Sequence, residues 1–103
     1  FLITRAGQLI QFVPMHLRAW HAGISSFKGR EGCNDFSIGI ELEGCDEEEF
    51  AATQYETLRE LVHFLKQEYL IIEDNIVGHS SVAPGRKTDP GPHFNWNLLK
   101  SST

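Results

Sequence analysis

The sequence predicts an α/β fold, a mixed β-sheet flanked by helices, and three observations carry that prediction. Two apolar runs flank a turn over residues 1–13. Polar and apolar residues alternate strictly over 37–43, and apolar residues recur at helical spacing from Thr53 to Tyr69. The signatures of strand and helix thus share one chain of 103 residues, the size of a single small domain spanning residues 1–103.

The first element is a hairpin. Phe1-Leu2-Ile3-Thr4 and Gln8-Leu9-Ile10-Gln11-Phe12-Val13 flank Arg5-Ala6-Gly7, whose glycine can supply the positive φ of a turn, and Pro14 ends the second strand. The chain opens inside an apolar run with no initiator Met, so it is expected to begin within an element and to lack an N-terminal strand of its domain. Residues 14–36 are expected to be irregular, with Gly23, Gly29 and Gly32 spread through them. Within this stretch, Arg18-Ala19-Trp20-His21-Ala22-Gly23 sets a large aromatic beside an imidazole. Such a pair can line a ligand cleft; equally, Trp20 can cap the core and His21 bond a nearby carbonyl.

In Ser37-Ile38-Gly39-Ile40-Glu41-Leu42-Glu43, the three aliphatic residues point towards a core and the others point away. Gly39 leaves space beside two carboxylates about 7 Å apart on that second face. Either could be a general base if the face lines a pocket; otherwise the face is simply solvated. Asp46-Glu47-Glu48-Glu49 reads as a solvated loop before a helix N-terminus. Thr53-Gln54-Tyr55-Glu56 has the form of a capping box. Leu58, Leu61, Val62, Leu65 and Tyr69 form the helix's apolar stripe, leaving His63 on the solvent side. Ile71-Ile72, an Asp74-Asn75 turn and a short strand at Ile76-Val77 lead to Gly78-His79, so His79 is expected at a strand end. Phe94, Trp96, Leu98 and Leu99 read as a terminal turn or short helix on the core, with His93 at the surface.

Composition removes several classes of function. A net charge of −5 with no Lys/Arg cluster argues against nucleic acid. No apolar run approaches the roughly 18 residues that span a bilayer. Cys33 and Cys45 bracket the strand at 37–43, which if extended holds them well beyond the roughly 7 Å limit for a disulfide. Free thiols and a reducing compartment are the expectation.

The segment 78–92 is the densest in chemistry, placing His79, Lys87 and Asp89 within eleven residues of Pro- and Gly-rich chain. Such a segment is expected to be neither helix nor sheet. His79 and Asp89 are candidate metal donors with Lys87 as a charge stabiliser, or His79 ends a strand and Asp89 starts a turn.

In order along the chain, Arg18–Gly23, Cys33–Gly44, Gly78-His79 and Arg86-Lys87-Thr88-Asp89-Pro90-Gly91-Pro92 resemble the zinc-dependent N-acetylmuramoyl-L-alanine amidases. Within that family the likeness is to the AmpD-like branch, which acts on anhydro-muropeptides in cell-wall recycling. The resemblance implies the amidase and peptidoglycan-recognition fold, a Zn2+ cofactor, a muropeptide substrate and a cytoplasmic location. The reaction implied is hydrolysis of the amide between N-acetylmuramic acid, in its 1,6-anhydro form, and L-alanine. Matched by position, His79 and Asp89 fall on two of the three zinc ligands, Glu41 on the catalytic glutamate and Lys87 on the catalytic lysine. Trp20 and His21 fall in a segment bordering the substrate cleft. The choice of Glu41 over Glu43 rests on this resemblance alone.

Two departures stand out. The family's third ligand is a histidine on a strand preceding all of these segments, and His16 and His21 lie in the wrong segment to replace it. Gly32 stands where this branch often has an arginine that reads the acidic end of the stem peptide. Two other functions compete. A non-catalytic peptidoglycan-binding module would not need His79, Asp89, Lys87 and Glu41 together. A structural zinc domain would close its site with Cys33 and Cys45 around His79, leaving no open position for water.

Overall fold

The computed structural model of the chain describes residues 1–20, 22–44 and 48–100. In order, these form β1 (Leu2–Ile3), β2 (Leu9–Ile10), β3 (Ser26–Phe27), β4 (Arg30–Glu31), β5 (Glu41–Leu42), α1 (Ala52–Tyr69), α2 (His79–Val82) and α3 (Trp96–Lys100). Short 3-10 turns lie at Cys33–Asp35 and Glu73–Asn75.

The main sheet is mixed, with strand order β2-β1-β5. β1 runs antiparallel to β2, pairing Leu2 with Ile10 and Ile3 with Leu9, and parallel to β5, pairing Leu2 with Glu41 and Ile3 with Leu42. The strands are shorter than the apolar runs suggest, but the parallel ladder extends beyond them. The Phe1 amino group donates to the Gly39 carbonyl, and the Glu41 and Glu43 N–H groups donate to the carbonyls of Phe1 and Ile3, each at 2.9 Å. The expected alternation holds along this stretch. Ile38, Ile40 and Leu42 pack against the core, while Ser37, Glu41 and Glu43 are exposed.

α1 lies on the sheet through Tyr55, Leu58, Leu61 and Leu65, which bury Ile3 completely and pack with Phe94 and Leu99 from the C-terminal segment. Phe94 stands edge-on to Trp96 at 4.7 Å between ring centroids, a favoured aromatic arrangement. Val62 joins the core partly buried, whereas Tyr69, expected in the stripe, is half exposed on the last turn. His63 and His93 are exposed, as expected.

The helix N-cap stands two residues earlier than the capping-box reading places it. Ala51 is the N-cap, and the Gln54 side chain accepts from the Ala51 N–H at 2.9 Å. Thr53 is instead drawn to the hairpin turn, its hydroxyl donating to the Arg5 carbonyl at 2.7 Å. Gln54, fully buried, also donates its amide to the carbonyls of Ile3 at 3.3 Å and Glu43 at 2.8 Å. One side chain thereby ties the start of α1 to β1 and to the end of β5. Replacing Gln54 by alanine takes this partner from the part-buried Ala51 N–H and Glu43 carbonyl and is expected to destabilise the fold by about 1–3 kcal/mol. The check is a lower urea midpoint at unchanged slope.

Three further expectations give way. Residues 14–36 contain a two-stranded antiparallel ribbon, β3 with β4, closed by Lys28 (φ 50) and Gly29 (φ 83). Two consecutive positive φ values are the mark of a tight hairpin turn that follows the strand twist. Ile76-Val77 forms no strand, so His79 does not end one. Despite its Pro and Gly content, the following segment holds one helical turn, α2, which Pro84 ends because it has no N–H to continue the ladder. Cys33 is buried and free; Cys45 and the acidic residues Asp46 and Glu47 lie outside the described residues, while Glu48 and Glu49 are exposed.

Candidate metal and catalytic site

His79 opens α2, and Asp89 lies at the far end of the loop that follows. The Ser80 N–H donates to the Asp89 carbonyl at 2.9 Å, closing the loop at its base. Gly78 is buried against Pro90, whose Cδ would stand 2.6 Å from any Cβ added there. The absence of a side chain at this position therefore lets the Asp89-Pro90 segment approach α2.

This closure brings the two candidate donors together. His79 Nδ1 lies 3.2 Å from Asp89 Oδ2, and His79 Nε2 lies 2.9 Å from the Ala22 carbonyl oxygen. A carbonyl can only accept, so Nε2 donates to it, and Nδ1 is the ring atom that faces the carboxylate. A ring nitrogen and a carboxylate oxygen facing each other can share a proton, or hold a metal ion between them. Two ligand atoms sharing one tetrahedral zinc at about 2.0–2.1 Å stand roughly 3.3 Å apart, so the donor pair fits such a metal. A ring nitrogen that donates to a backbone carbonyl while the other faces the metal is the usual way a ligating histidine is oriented. Among the described residues, no group of three His, Cys, Asp or Glu side chains comes together to hold a metal.

The pair lines a cleft of about 1190 Å3 whose walls also include Ile38, Ile40 and Glu41, and Leu58 and Val62 of α1. Glu41 and Glu43 both line it, but their surroundings differ. Glu43 Oε1 accepts the Arg5 N–H at 2.7 Å, which commits that carboxylate to the hairpin turn. The backbone geometry thus separates two residues that the alternation pattern leaves equivalent.

Of the remaining nominated residues, Lys87 is exposed on the loop, its N–H bonded to the Ala83 carbonyl at 3.0 Å, and it does not line the cleft. Trp20 is 79% exposed and also outside the cleft lining, with the Arg18 guanidinium 4.4 Å from its ring centroid. Arg18 itself pairs with Asp35. His21 lies outside the described residues. The structure therefore brings Glu41, His79 and Asp89 to one cleft and leaves Lys87 and Trp20 at the surface.

Sequence reasoning missed the groups that hold His79. The Ala22 backbone is fixed on both sides of its Cα, its N–H donating to Asn34 Oδ1 at 2.8 Å and its carbonyl accepting from His79 and from Arg86. A backbone acceptor leaves no trace in a side-chain pattern. Asn34 and Arg86 were visible only as members of the two segments that carry the family resemblance.

A family model described as N-acetylmuramoyl-L-alanine amidase matches residues 1–92. The 1,6-anhydro-N-acetylmuramyl-L-alanine amidase AmpD of Enterobacter cloacae is 56% identical over 96 residues, which make up 93% of this chain and 51% of that protein. Among solved structures, a crystal structure of a Se-Met AmpD derivative matches with a TM-score of 0.95 and 50% identity, over 99% of this chain and 57% of that one. The Escherichia coli amidase AmiD, in complex with anhydro-N-acetylmuramic acid-L-Ala-D-gamma-Glu-L-Lys, matches with a TM-score of 0.87 and 38% identity. That match covers 92% of this chain and 40% of AmiD. The chain spans about half the length of the curated relatives it matches.

Proposed function

We infer, because this chain belongs to the N-acetylmuramoyl-L-alanine amidase family, that it forms part of a zinc-dependent hydrolase of cell-wall muropeptides. The bond cleaved is the amide between N-acetylmuramic acid, in its 1,6-anhydro form, and L-alanine. The observation that carries this reading is the His79–Asp89 pair, with donor atoms 3.2 Å apart in a cleft that Glu41 also lines.

In this reading His79 and Asp89 hold the metal, and the third ligand is to be sought outside the described residues. Zinc, when bound, supplies Lewis acidity that polarises the amide carbonyl and makes water a competent nucleophile near neutral pH. Glu41 takes the proton from the attacking water and delivers it to the departing L-alanine nitrogen. Lys87, exposed on the loop between His79 and Asp89, is assigned to stabilise the negative charge that develops on the carbonyl oxygen, a role for which its ammonium must swing in from the surface. Trp20 and His21 are assigned to the border of the sugar and peptide by their place in the family's sequence order alone. Among the described residues no helix is long and apolar enough to cross a membrane. We place the action in the cytoplasm, on fragments returned for recycling.

The test is to incubate the zinc-loaded, full-length natural protein with anhydro-muropeptide and follow release of the anhydro-sugar by chromatography. Turnover that a chelator stops and zinc restores is the expected result. Binding of the muropeptide without release would overturn the enzyme reading in favour of a recognition module. In the same assay Lys87→Ala is expected to lower kcat by about 10²–10³-fold, the cost of one group that stabilises an oxyanion, with KM little changed.

A further inference from the structure

His79 shares its carbonyl acceptor. Arg86 sends one guanidinium nitrogen to the Ala22 oxygen, the atom that also receives His79 Nε2–H. The same side chain is held from behind by the Ile24 carbonyl, which accepts from Nε at 3.1 Å and from a terminal nitrogen at 2.8 Å. Three donors in a rigid plane thus engage two backbone carbonyls of one loop. The space for this comes from Gly23, which lies between those two residues with φ +65. A Cβ on Gly23 would stand 2.9 Å from the guanidinium nitrogen and 3.3 Å from its central carbon. Gly23 and Arg86 therefore form one device, a bare backbone turn with a cation lying against it.

We propose that Arg86 is a positioning residue for the metal site, fixing the Ala22 carbonyl and through it the tautomer and ring orientation of His79. The chemistry requires such a support. A carbonyl free to rotate away would release Nε2–H, and the imidazole could then present either nitrogen to the cleft. With Ala22 held by Asn34 on its N–H and by Arg86 on its oxygen, the two peptide planes that meet at its Cα are each fixed, and His79 Nδ1 faces Asp89. The proposal rests on the reading of His79 as a metal ligand, and goes beyond it by naming what orients that ligand.

Zinc affinity, by competition with a chromophoric chelator, and the His79 tautomer, by long-range proton–nitrogen NMR of the metal-free form, test it in the full-length natural protein. Arg86→Ala is expected to weaken zinc binding by about 10–100-fold, the usual cost of losing an outer partner of a ligand. It should also mix the His79 tautomers. Arg86→Lys, which keeps one donor, should recover part of the affinity. Gly23→Ala should reproduce the loss with Arg86 intact, and it remains informative if Arg86→Ala fails to fold. Arg59→Ala, a control that removes an arginine of α1 whose guanidinium bonds the Leu98 carbonyl, should leave zinc affinity unchanged. Wild-type affinity and an unmixed tautomer in both Arg86→Ala and Gly23→Ala overturn the proposal while the metal reading stands. Wild-type zinc affinity in His79→Ala overturns both.

Discussion

Glu41→Ala is expected to lower turnover by about 10²–10⁴-fold while zinc stays bound. The range is that of a positioned acid–base group, and the metal is spared because Glu41 is not one of the proposed ligands. Glu43→Ala provides the contrast. Its carboxylate accepts the Arg5 N–H at 2.7 Å, so its removal loosens the hairpin turn rather than the chemistry. That exposed bond contributes about 0.5–1.5 kcal/mol, and the variant should show a lower urea midpoint with most of its turnover retained. Paired kinetics and metal analysis on the two variants decide the matter. Equal loss of turnover from both, or loss of zinc from Glu41→Ala, would undo the assignment of Glu41 as the proton carrier.

His79→Ala and Asp89→Ala are expected to do the reverse, removing the metal and the turnover together. Outer partners of a ligand contribute about 10–100-fold in metal affinity, so the loss of a ligand itself should exceed that range. Asp89→Asn is the sharper variant. It keeps the size of the side chain and an oxygen that can face His79, but removes the negative charge that offsets the cation. Zinc content after dialysis, read beside turnover, is the measurement. Full zinc occupancy in Asp89→Asn and Asp89→Ala would remove Asp89 from the ligand set.

Much of this arrangement is legible in the sequence, and the parts that are not share a physical cause. The hairpin, the outward face of Ser37 to Glu43 and α1 all follow from side-chain periodicity, which the backbone geometry of strand and helix imposes directly. His79 and Asp89 could be paired because they lie on one short loop. What escaped was set by backbone groups meeting distant partners. Thr53 left its expected cap because the Arg5 carbonyl of the hairpin turn was within reach of its hydroxyl. β3 and β4 went unseen because their turn is Lys28-Gly29, and lysine carries none of the preference for positive φ that asparagine would have signalled. The one turn of α2 is too short for any apolar stripe to show. Arg86 reads as a surface cation until the Ala22 and Ile24 carbonyls are found beneath it. Glu43 is told apart from Glu41 only by the Arg5 N–H.

The parallel pairing of β1 with β5 also governs how the molecule comes together in time. The ladder between them closes a span of 38 positions, and the Ala22 carbonyl waits for partners that emerge 57 and 64 positions later. Closures of that length cost chain entropy before any contact repays it, so contact order sets the folding rate. α1 can form from neighbouring residues alone, but the His79–Asp89 pair meets Ala22 only once the two halves of the chain have docked. The orientation of His79 by the Ala22 carbonyl is therefore a long-range feature of the fold, even though His79 and Asp89 themselves lie only ten positions apart.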